Sequence, residues 1–332
     1  MATIKDVAKL AGVSVSTASM ALNGKGPVSE ATRRRVVEAA RALQYRPNAI
    51  ARGLVTRKTR TVGLVLADLT DPYFHEIAKG AEAVLSAAGY AMLLADTDRS
   101  PEKERRSIEA LCSHQVEGLI LAGSGLGSAS LVGEVRRHGI EVVAVGPHAA
   151  GVPSVGVDNE AVGRAIARHL IERGRRRIAF VGGPPGLGVS EARLQGFLQA
   201  LAEAELEPFR IIPSDFTPAG GYRAAAQLMA ERNPAARPDA VVAANDQMAI
   251  GVIKGARELG LTVPAEVAVA GIGDIPTAVF TEPPLTTVAL PIRAMGEQAA
   301  LLLLRALGEA AEKEEEERGA ALDFKLVVRA ST

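Results

Sequence analysis

Cysteine, histidine and aromatic residues are scarce in this chain of 332 residues. It has one cysteine (Cys112), five histidines and no tryptophan, and aromatic residues make up 3% of the total. A single cysteine excludes an internal disulfide and is typical of a reducing compartment. The histidines are scattered, without the spacing of metal ligands, so we expect no metal and no cofactor.

Long apolar runs are also missing. No stretch approaches the about 20 apolar residues that a membrane helix needs. The N-terminal segment MATIKDVAKL lacks the apolar region of a signal peptide. We therefore expect a cytoplasmic, nucleoid-associated protein with no membrane contact.

The net charge of zero conceals an uneven distribution. Residues 1–60 carry 12 Lys and Arg against 3 Asp and Glu, a charge of +9, which leaves −9 on the remainder. This asymmetry predicts a segment that binds a polyanion, attached to a neutral or acidic body. The alternative is a basic surface that is merely solvated.

The first 45 residues divide into three short helices with recognisable caps. Thr3 can cap a helix that begins at Ile4, Ser14 a second that runs to about Asn23, and Ser29 a third. Two helices joined by a tight turn that contains glycine form the helix-turn-helix pattern. The region is therefore predicted to be a small DNA-binding domain, and the alternative is an ordinary three-helix domain.

The second helix has two unlike sides. At helical spacing, small or apolar residues that can pack inward are Thr17, Ala18, Ala21 and Leu22. The opposite side carries no charge and consists of Val15, Ser16, Ser19, Met20 and Asn23. Such a face is suited to a major groove, where hydroxyl and methyl groups meet base edges while arginines elsewhere contact phosphates.

From residue 61 onward, short apolar runs alternate with helical stretches. The predicted strands are 61–67, 90–95, 118–122, 141–145, 154–157, 177–182, 210–213, 240–244, 267–272 and 322–329. The predicted helices are 73–88, 101–114, 128–138, 159–173, 190–205, 218–231 and 246–259. This alternation indicates parallel sheets covered by helices on both faces.

Several motifs resemble the lac/gal repressor family: ATIKDVAKLAGVSVSTASMALNG, VSEATRRRV, YRPNAIARGL and TVGLVL. The similarity of pattern continues to about residue 329. It implies a multidomain protein with an all-α helix-turn-helix head (1–46), a hinge helix and linker (47–60) and an α/β periplasmic-binding-protein-like body (61–332). The body would have two doubly wound lobes, about 61–159 plus 291–320 and about 160–290 plus 321–330.

The resemblance also implies how DNA is read. Val15, Ser16 and Met20 occupy the family's principal base-reading positions, and Leu54 of the hinge would wedge into the minor groove. Several relatives have arginine at the position of Met20, so the operator sequence is left open. The predicted DNA contacts are Thr3, Ser14, Val15, Ser16, Thr17, Met20, Asn23, Tyr45, Ala51 and Leu54.

A small-molecule effector site is expected where strands end, because ligands of open α/β sheets bind beyond the carboxyl ends of strands. By resemblance, Tyr73 and Phe74 match an aromatic pair, Arg193 an arginine that holds polar groups, and Phe216 a ring that stacks on the ligand. The predicted effector contacts are Asp71, Tyr73, Phe74, Ser124, Arg193, Phe216, Asn245 and Asp274.

Two departures bear on the identity of the effector. Sugar-binding relatives often carry an aspartate where this chain has Gly146, and a second acid where it has Gly273, with Asp274 one position later. A carbohydrate or derivative is the first hypothesis, and a nucleoside, a phosphorylated sugar or another metabolite are the alternatives. Leu187 replaces an arginine of a purine-binding relative, which argues weakly against a purine.

Other classes of protein fit less well. The segment 123–127 (GSGLG) misses the spacing of a dinucleotide loop, and no Ser-His-Asp set can be assembled, so we expect no enzyme and no catalytic residues. A solute-binding protein for uptake would need export. A nucleoid protein without ligand control would not need the polar and aromatic strand ends.

We expect a homodimer, because two heads and paired hinge helices are needed to read a two-fold operator. The chain ends at Thr332, after the last strand, without the leucine-rich tail of tetrameric relatives. Whether the effector releases DNA or promotes binding depends on which state each ligand prefers, so inducer and corepressor both stay open.

Overall fold

A computed structural model describes residues 2–24, 26–45, 58–123, 129–147, 151–231, 233–309 and 321–332. The chain divides into two compact units, Met1–Thr59 and Arg60–Thr332. The predicted hinge helix falls almost entirely outside the described residues.

The first unit consists of three helices with the predicted caps. They are α1 (Ile4–Ala11), α2 (Val15–Leu22) and α3 (Glu30–Ala42). Thr3 forms a capping box with Asp6, while the hydroxyls of Ser14 and Ser29 accept backbone N–H groups of the first turns of α2 and α3. A small aliphatic core joins the helices and consists of Val7, Ala8, Ala11, Ala18, Ala21, Val36, Ala39 and Ala40.

The second unit begins with a five-stranded parallel sheet in the order β2-β1-β3-β4-β5. Its strands are β1 (Thr61–Leu66), β2 (Ala91–Asp96), β3 (Gly118–Ala122), β4 (Glu141–Val145) and β5 (Ser154–Val155). Side chains alternate between the two faces: Leu64 and Leu66 belong to one buried cluster and Val65 to another. The apolar runs of the sequence therefore reflect burial of both faces.

The second sheet repeats this order. Its strands, β6 (Ile178–Val181), β7 (Arg210–Ile212), β8 (Ala240–Ala243), β9 (Ala268–Gly273), β10 (Thr286–Ala289) and β11 (Lys325–Val327), are arranged as β7-β6-β8-β9-β10-β11. Only the pair of β10 and β11 is antiparallel among the described strands. We refer to the N-terminal lobe, built on β1–β5, and the C-terminal lobe, built on β6–β11.

Eight helices cover the described parts of the two sheets. They are α4 (Pro72–Ala87), α5 (Pro101–Ser113), α6 (Ala129–Arg137), α7 (Asn159–Glu172), α8 (Gly188–Glu203), α9 (Pro218–Met229), α10 (Asp246–Glu258) and α11 (Ile292–Ala306). Paired glycines allow close approach in three helix pairs. In the pair of α7 and α8, a Cβ at Gly163 would collide with the carbonyl of Arg193 and one at Gly196 with that of Glu160.

The fold confirms the prediction of a helix-turn-helix head and a body of two α/β lobes. The predicted last strand, 322–329, is shorter, because β11 pairs with β10 over only three residues. The predicted strand 154–157 is reduced to Ser154–Val155. Strand β10 and helix α11 were not predicted. Within the described residues, no helix has both the length and the apolar composition required to cross a bilayer.

Candidate functional site

The exposed side of α2 is the candidate DNA-reading surface. Val15 is 42% exposed and Ser16 is also exposed, as the helical spacing predicts. Ser14 and Thr17 share a hydrogen bond between their hydroxyls of 2.8 Å, which fixes the start of the helix. Met20 is half-buried rather than fully outward, because its side chain packs over Gly26. The surface is therefore small, polar and without charge.

Basic side chains are exposed on the other two helices of the first unit. Lys5, Lys9, Arg34, Arg35 and Arg41 are all exposed on α1 and α3. None of these five forms an ion pair with a described carboxylate, so their charges are available to phosphates. Uncharged reading residues flanked by free cations are the combination that a DNA-binding head requires.

The second candidate site is a cavity of 340 Å³ at the carboxyl ends of the strands of both lobes. Segments after β1, β2, β3 and β4 contribute from the N-terminal lobe, and segments after β6, β7, β8, β9 and β10 from the C-terminal lobe. The lining is mainly apolar with a few polar side chains, the usual composition of a small-molecule site. Its polar members are Asp71, Tyr73, Arg99, Arg193, Asn245, Asp246 and Gln247.

Arg193 is the most constrained cation of the cavity. It lies in α8 and is 6% exposed. Its Nε donates to Oδ1 of Asn159 at 3.0 Å and its Nη1 to the carbonyl of Ala244 at 2.6 Å. Burial lowers the pKa of the guanidinium, but an arginine stays charged in proteins. Among the described residues no carboxylate pairs with it, so Nη2 is left to a ligand.

Aromatic rings from both lobes line the cavity. Tyr73 and Phe74 stand at the start of α4 in an edge-to-face pair with centroids 5.1 Å apart. Phe216 follows β7 in the other lobe. Both phenylalanine rings rest on glycine, because a Cβ at Gly123 would overlap the ring of Phe74 and one at Gly183 that of Phe216. Because glycine has no Cβ, each ring can pack directly against the backbone at these two positions.

Two carboxylates of the lining are already engaged by the protein. Asp71 caps α4, accepting the N–H of Tyr73 at 3.0 Å, and burial raises its pKa. Asp246 is 1% exposed and accepts hydrogen bonds from Oγ1 of Thr287 at 2.5 Å and from the N–H of Ile275 at 2.9 Å. In neither carboxylate are both oxygens free to accept hydrogen bonds from the hydroxyl groups of a sugar.

Comparisons with known proteins identify the family of the two domains. Residues 3–48 match the model of bacterial regulatory proteins of the lacI family, and residues 167–332 match a periplasmic binding protein-like domain. The HTH-type transcriptional repressor CytR of Escherichia coli (strain K12) is 36% identical over 307 residues, which cover 91% of this chain and 89% of that protein. The chain belongs to the lacI family.

Solved structures of transcription regulators extend the similarity to the whole chain. The lac repressor dimer bound to operator and the anti-inducer ONPF has a TM-score of 0.86 and 26% identity, covering 99% of this chain and 98% of that chain. The transcriptional regulator CelR in complex with cellobiose has a TM-score of 0.73 and 34% identity, with 100% of each chain covered. This lacI-family protein is a DNA-binding transcriptional regulator and not an enzyme.

The predicted site residues of this lacI-family protein fall into three groups. Those that line the cavity are Asp71, Tyr73, Phe74, Arg193, Phe216 and Asn245. Asp274 is not part of the lining, because its carboxylate accepts a hydrogen bond of 2.6 Å from Arg329. The amide of Asn245 is occupied in capping α10 and in donating to the carbonyl of Phe216. Outside the described residues lie Ala51, Leu54 and Ser124, whose roles stay predictions.

In the head, the remaining predicted DNA contacts are engaged within the protein. Thr3 bonds to Asp6, the amide of Asn23 donates to the carbonyl of Ser19, and Tyr45 packs half-buried against the small core. These residues position the helices, and their exposed edges are what DNA can reach.

Sequence reasoning missed Arg99 and Gln247 as lining residues, and Arg99 lies in a loop without a motif. Asp246 follows Asn245 directly at a strand end, which is where candidate residues were expected. Gln247 has no hydrogen-bond partner among the described residues, so its amide is available within the cavity.

Burial raises the pKa of Asp246 to about 6. Because the folded chain holds this proton at pH values where the unfolded chain has released it, the contribution of Asp246 to stability falls as the pH rises towards 6. We therefore expect wild type to gain about 1 kcal/mol of stability relative to Asp246→Asn when the pH falls from 7.5 to 5.0. Urea unfolding of both proteins at the two pH values measures this, and a difference independent of pH would contradict it.

Proposed function

We propose that this protein is a homodimeric repressor that binds a palindromic operator and whose affinity for DNA is controlled by a small metabolite in the cavity. The observation that carries the proposal is the pairing, in one chain, of a helix-turn-helix with an uncharged reading face and a body with a cavity of 340 Å³. The lac repressor dimer bound to operator, similar over the whole chain, supports the same organisation. We place its action in the cytoplasm, on the nucleoid.

DNA is contacted by the predicted residues of the head and by Leu54 of the hinge. Dimerisation is supported by large apolar side chains on the surface of the C-terminal lobe. Phe280 is 84% exposed and the adjacent Val279 is 46% exposed. Side chains of this size and exposure are typical of residues that a partner covers.

The effector is a carbohydrate or derivative. Its apolar face would stack on Phe216 or Phe74, while Nη2 of Arg193, the hydroxyl of Tyr73 and the amide of Gln247 hold its oxygens. The similar regulator CelR was solved with cellobiose, which supports a sugar. A nucleoside is the alternative, because a nucleoside also carries a sugar and a flat face.

Two measurements test this function. Selection from random DNA should enrich a two-fold symmetric site bound by two chains, as measured by sequencing and by the mass of the complex. A thermal-shift screen of sugars, nucleosides and sugar phosphates should then yield a compound that both raises the melting temperature and alters operator affinity. Absence of an enriched sequence, or binding by a single chain, would refute the proposal.

A further inference from the structure

Arg99 occupies an unusual position at the rim of the cavity. It lies in the loop between β2 and α5 of the N-terminal lobe, and it lines the cavity. Its Nη2 is 3.5 Å from a carboxylate oxygen of Asp68 and 3.6 Å from one of Asp71. Two carboxylates of its own lobe therefore hold the guanidinium and offset its charge.

The same guanidinium also faces two aromatic rings. Its central carbon is 5.8 Å from the centroid of Phe74, in the same lobe, and 5.5 Å from that of Phe216, in the C-terminal lobe. Both distances are within the range of a cation–π contact. The side chain of Arg99 thus contacts aromatic rings of both lobes at the cavity.

Both sides of this contact are fixed by strained backbone. Asp98 and Arg99 have φ values of 47° and 56°, and the N–H of Arg99 donates to the carbonyl of Ala67 at 2.7 Å. Phe216 has a φ of 62°, and its carbonyl accepts a hydrogen bond of 3.0 Å from Asn245. The left-handed region is unfavourable for large side chains such as those of Arg99 and Phe216, and it persists only where neighbouring groups impose it.

We propose that Arg99 is a positioning residue that clasps the two lobes together through Phe216 and holds that ring in place before the effector binds. Asp68 and Asp71 share the charge of Nη2, so the guanidinium is not a free cation for an anionic ligand, while its buried Nε has no hydrogen-bond partner among the described residues. Because the contact with Phe216 keeps the two lobes together without effector, the form of the protein that can bind effector is already populated. Less of the binding free energy is then spent on closing the cleft. The clasp goes beyond the proposed function, because it concerns the protein without effector.

A double-mutant cycle on the full, effector-free protein tests the clasp. We expect Arg99→Met to lower the melting temperature of the body by about 2–4 °C, and by about 1–2 °C less when Phe216→Leu is already present, because the contacts with Asp68, Asp71 and Phe74 are lost in both backgrounds. Small-angle X-ray scattering should show a larger radius of gyration for Arg99→Met than for wild type. Arg105→Met is the matched control, because Arg105 is an exposed residue of the same lobe that pairs with Glu109.

Equal losses of melting temperature in both backgrounds, or an unchanged radius of gyration for Arg99→Met, would overturn the proposal. If Arg99→Met does not fold, the cycle is run with Arg99→Lys, which keeps the charge beside Asp68 and Asp71 but loses the planar face that stacks on Phe216. Equal losses of melting temperature in both backgrounds, or an unchanged radius of gyration for Arg99→Lys, would then overturn the proposal.

Discussion

Replacing Arg193 with methionine is expected to weaken effector binding by about 10- to 150-fold, which corresponds to the hydrogen bonds of one charged group. Methionine preserves the length of the side chain and much of its packing in α8, but it donates no hydrogen bond. Operator affinity without effector should stay unchanged, because the head forms a separate compact unit, Met1–Thr59. Titration of a fluorescent operator with the effector found by thermal shift measures both quantities.

The matched control is Arg168→Met. Arg168 lies in the neighbouring helix α7, pairs with Glu203 at 2.6 Å on the surface and does not line the cavity. Its loss should leave the effector response intact, since exposed ion pairs contribute little. An effector midpoint that is the same for Arg193→Met and wild type would show that the ligand binds elsewhere.

Sequence periodicity predicted most of the body and missed two adjacent elements for identifiable reasons. Strand β10 has four residues and includes two threonines, so it lacks the apolar run that marked the other strands. Helix α11 begins after Pro291 without a side-chain cap, so the usual signal of a helix start is missing. Both are held by tertiary contacts, β10 by β9 and α11 by α4.

In the cavity too, residues that stand in a local sequence motif were predicted, whereas residues placed there by contacts between distant segments were not. Arg193 and Phe216 were predicted because each stands in a family motif. Arg99 was not, since its contact with Phe216 joins two lobes and no local pattern encodes it. Asp274 was expected in the cavity by its sequence position, yet Arg329 from the last segment of the chain pairs with it. Such pairings follow from the tertiary fold alone.

Operator affinity is expected to fall by about 10³- to 10⁵-fold when salt rises from 50 to 200 mM, if about 6–10 phosphates are contacted. The net charge of +9 on residues 1–60 supplies most of the cations expected to contact phosphates, while the remainder has a net charge of −9. Fluorescence anisotropy with the selected operator over this range of salt gives the slope. A nearly flat response would contradict an electrostatic head.

Single substitutions locate the source of this slope. Arg34→Gln should reduce the slope of log affinity against log salt concentration by about 1, the equivalent of one phosphate contact. Arg34 is an exposed cation of α3 without a described ion-pair partner. Arg136→Gln removes an exposed cation of the body and should leave the slope as it is. Because both substitutions change the net charge equally, a difference between them assigns the salt dependence to the head rather than to total charge. Equal slopes would instead implicate the body in DNA binding.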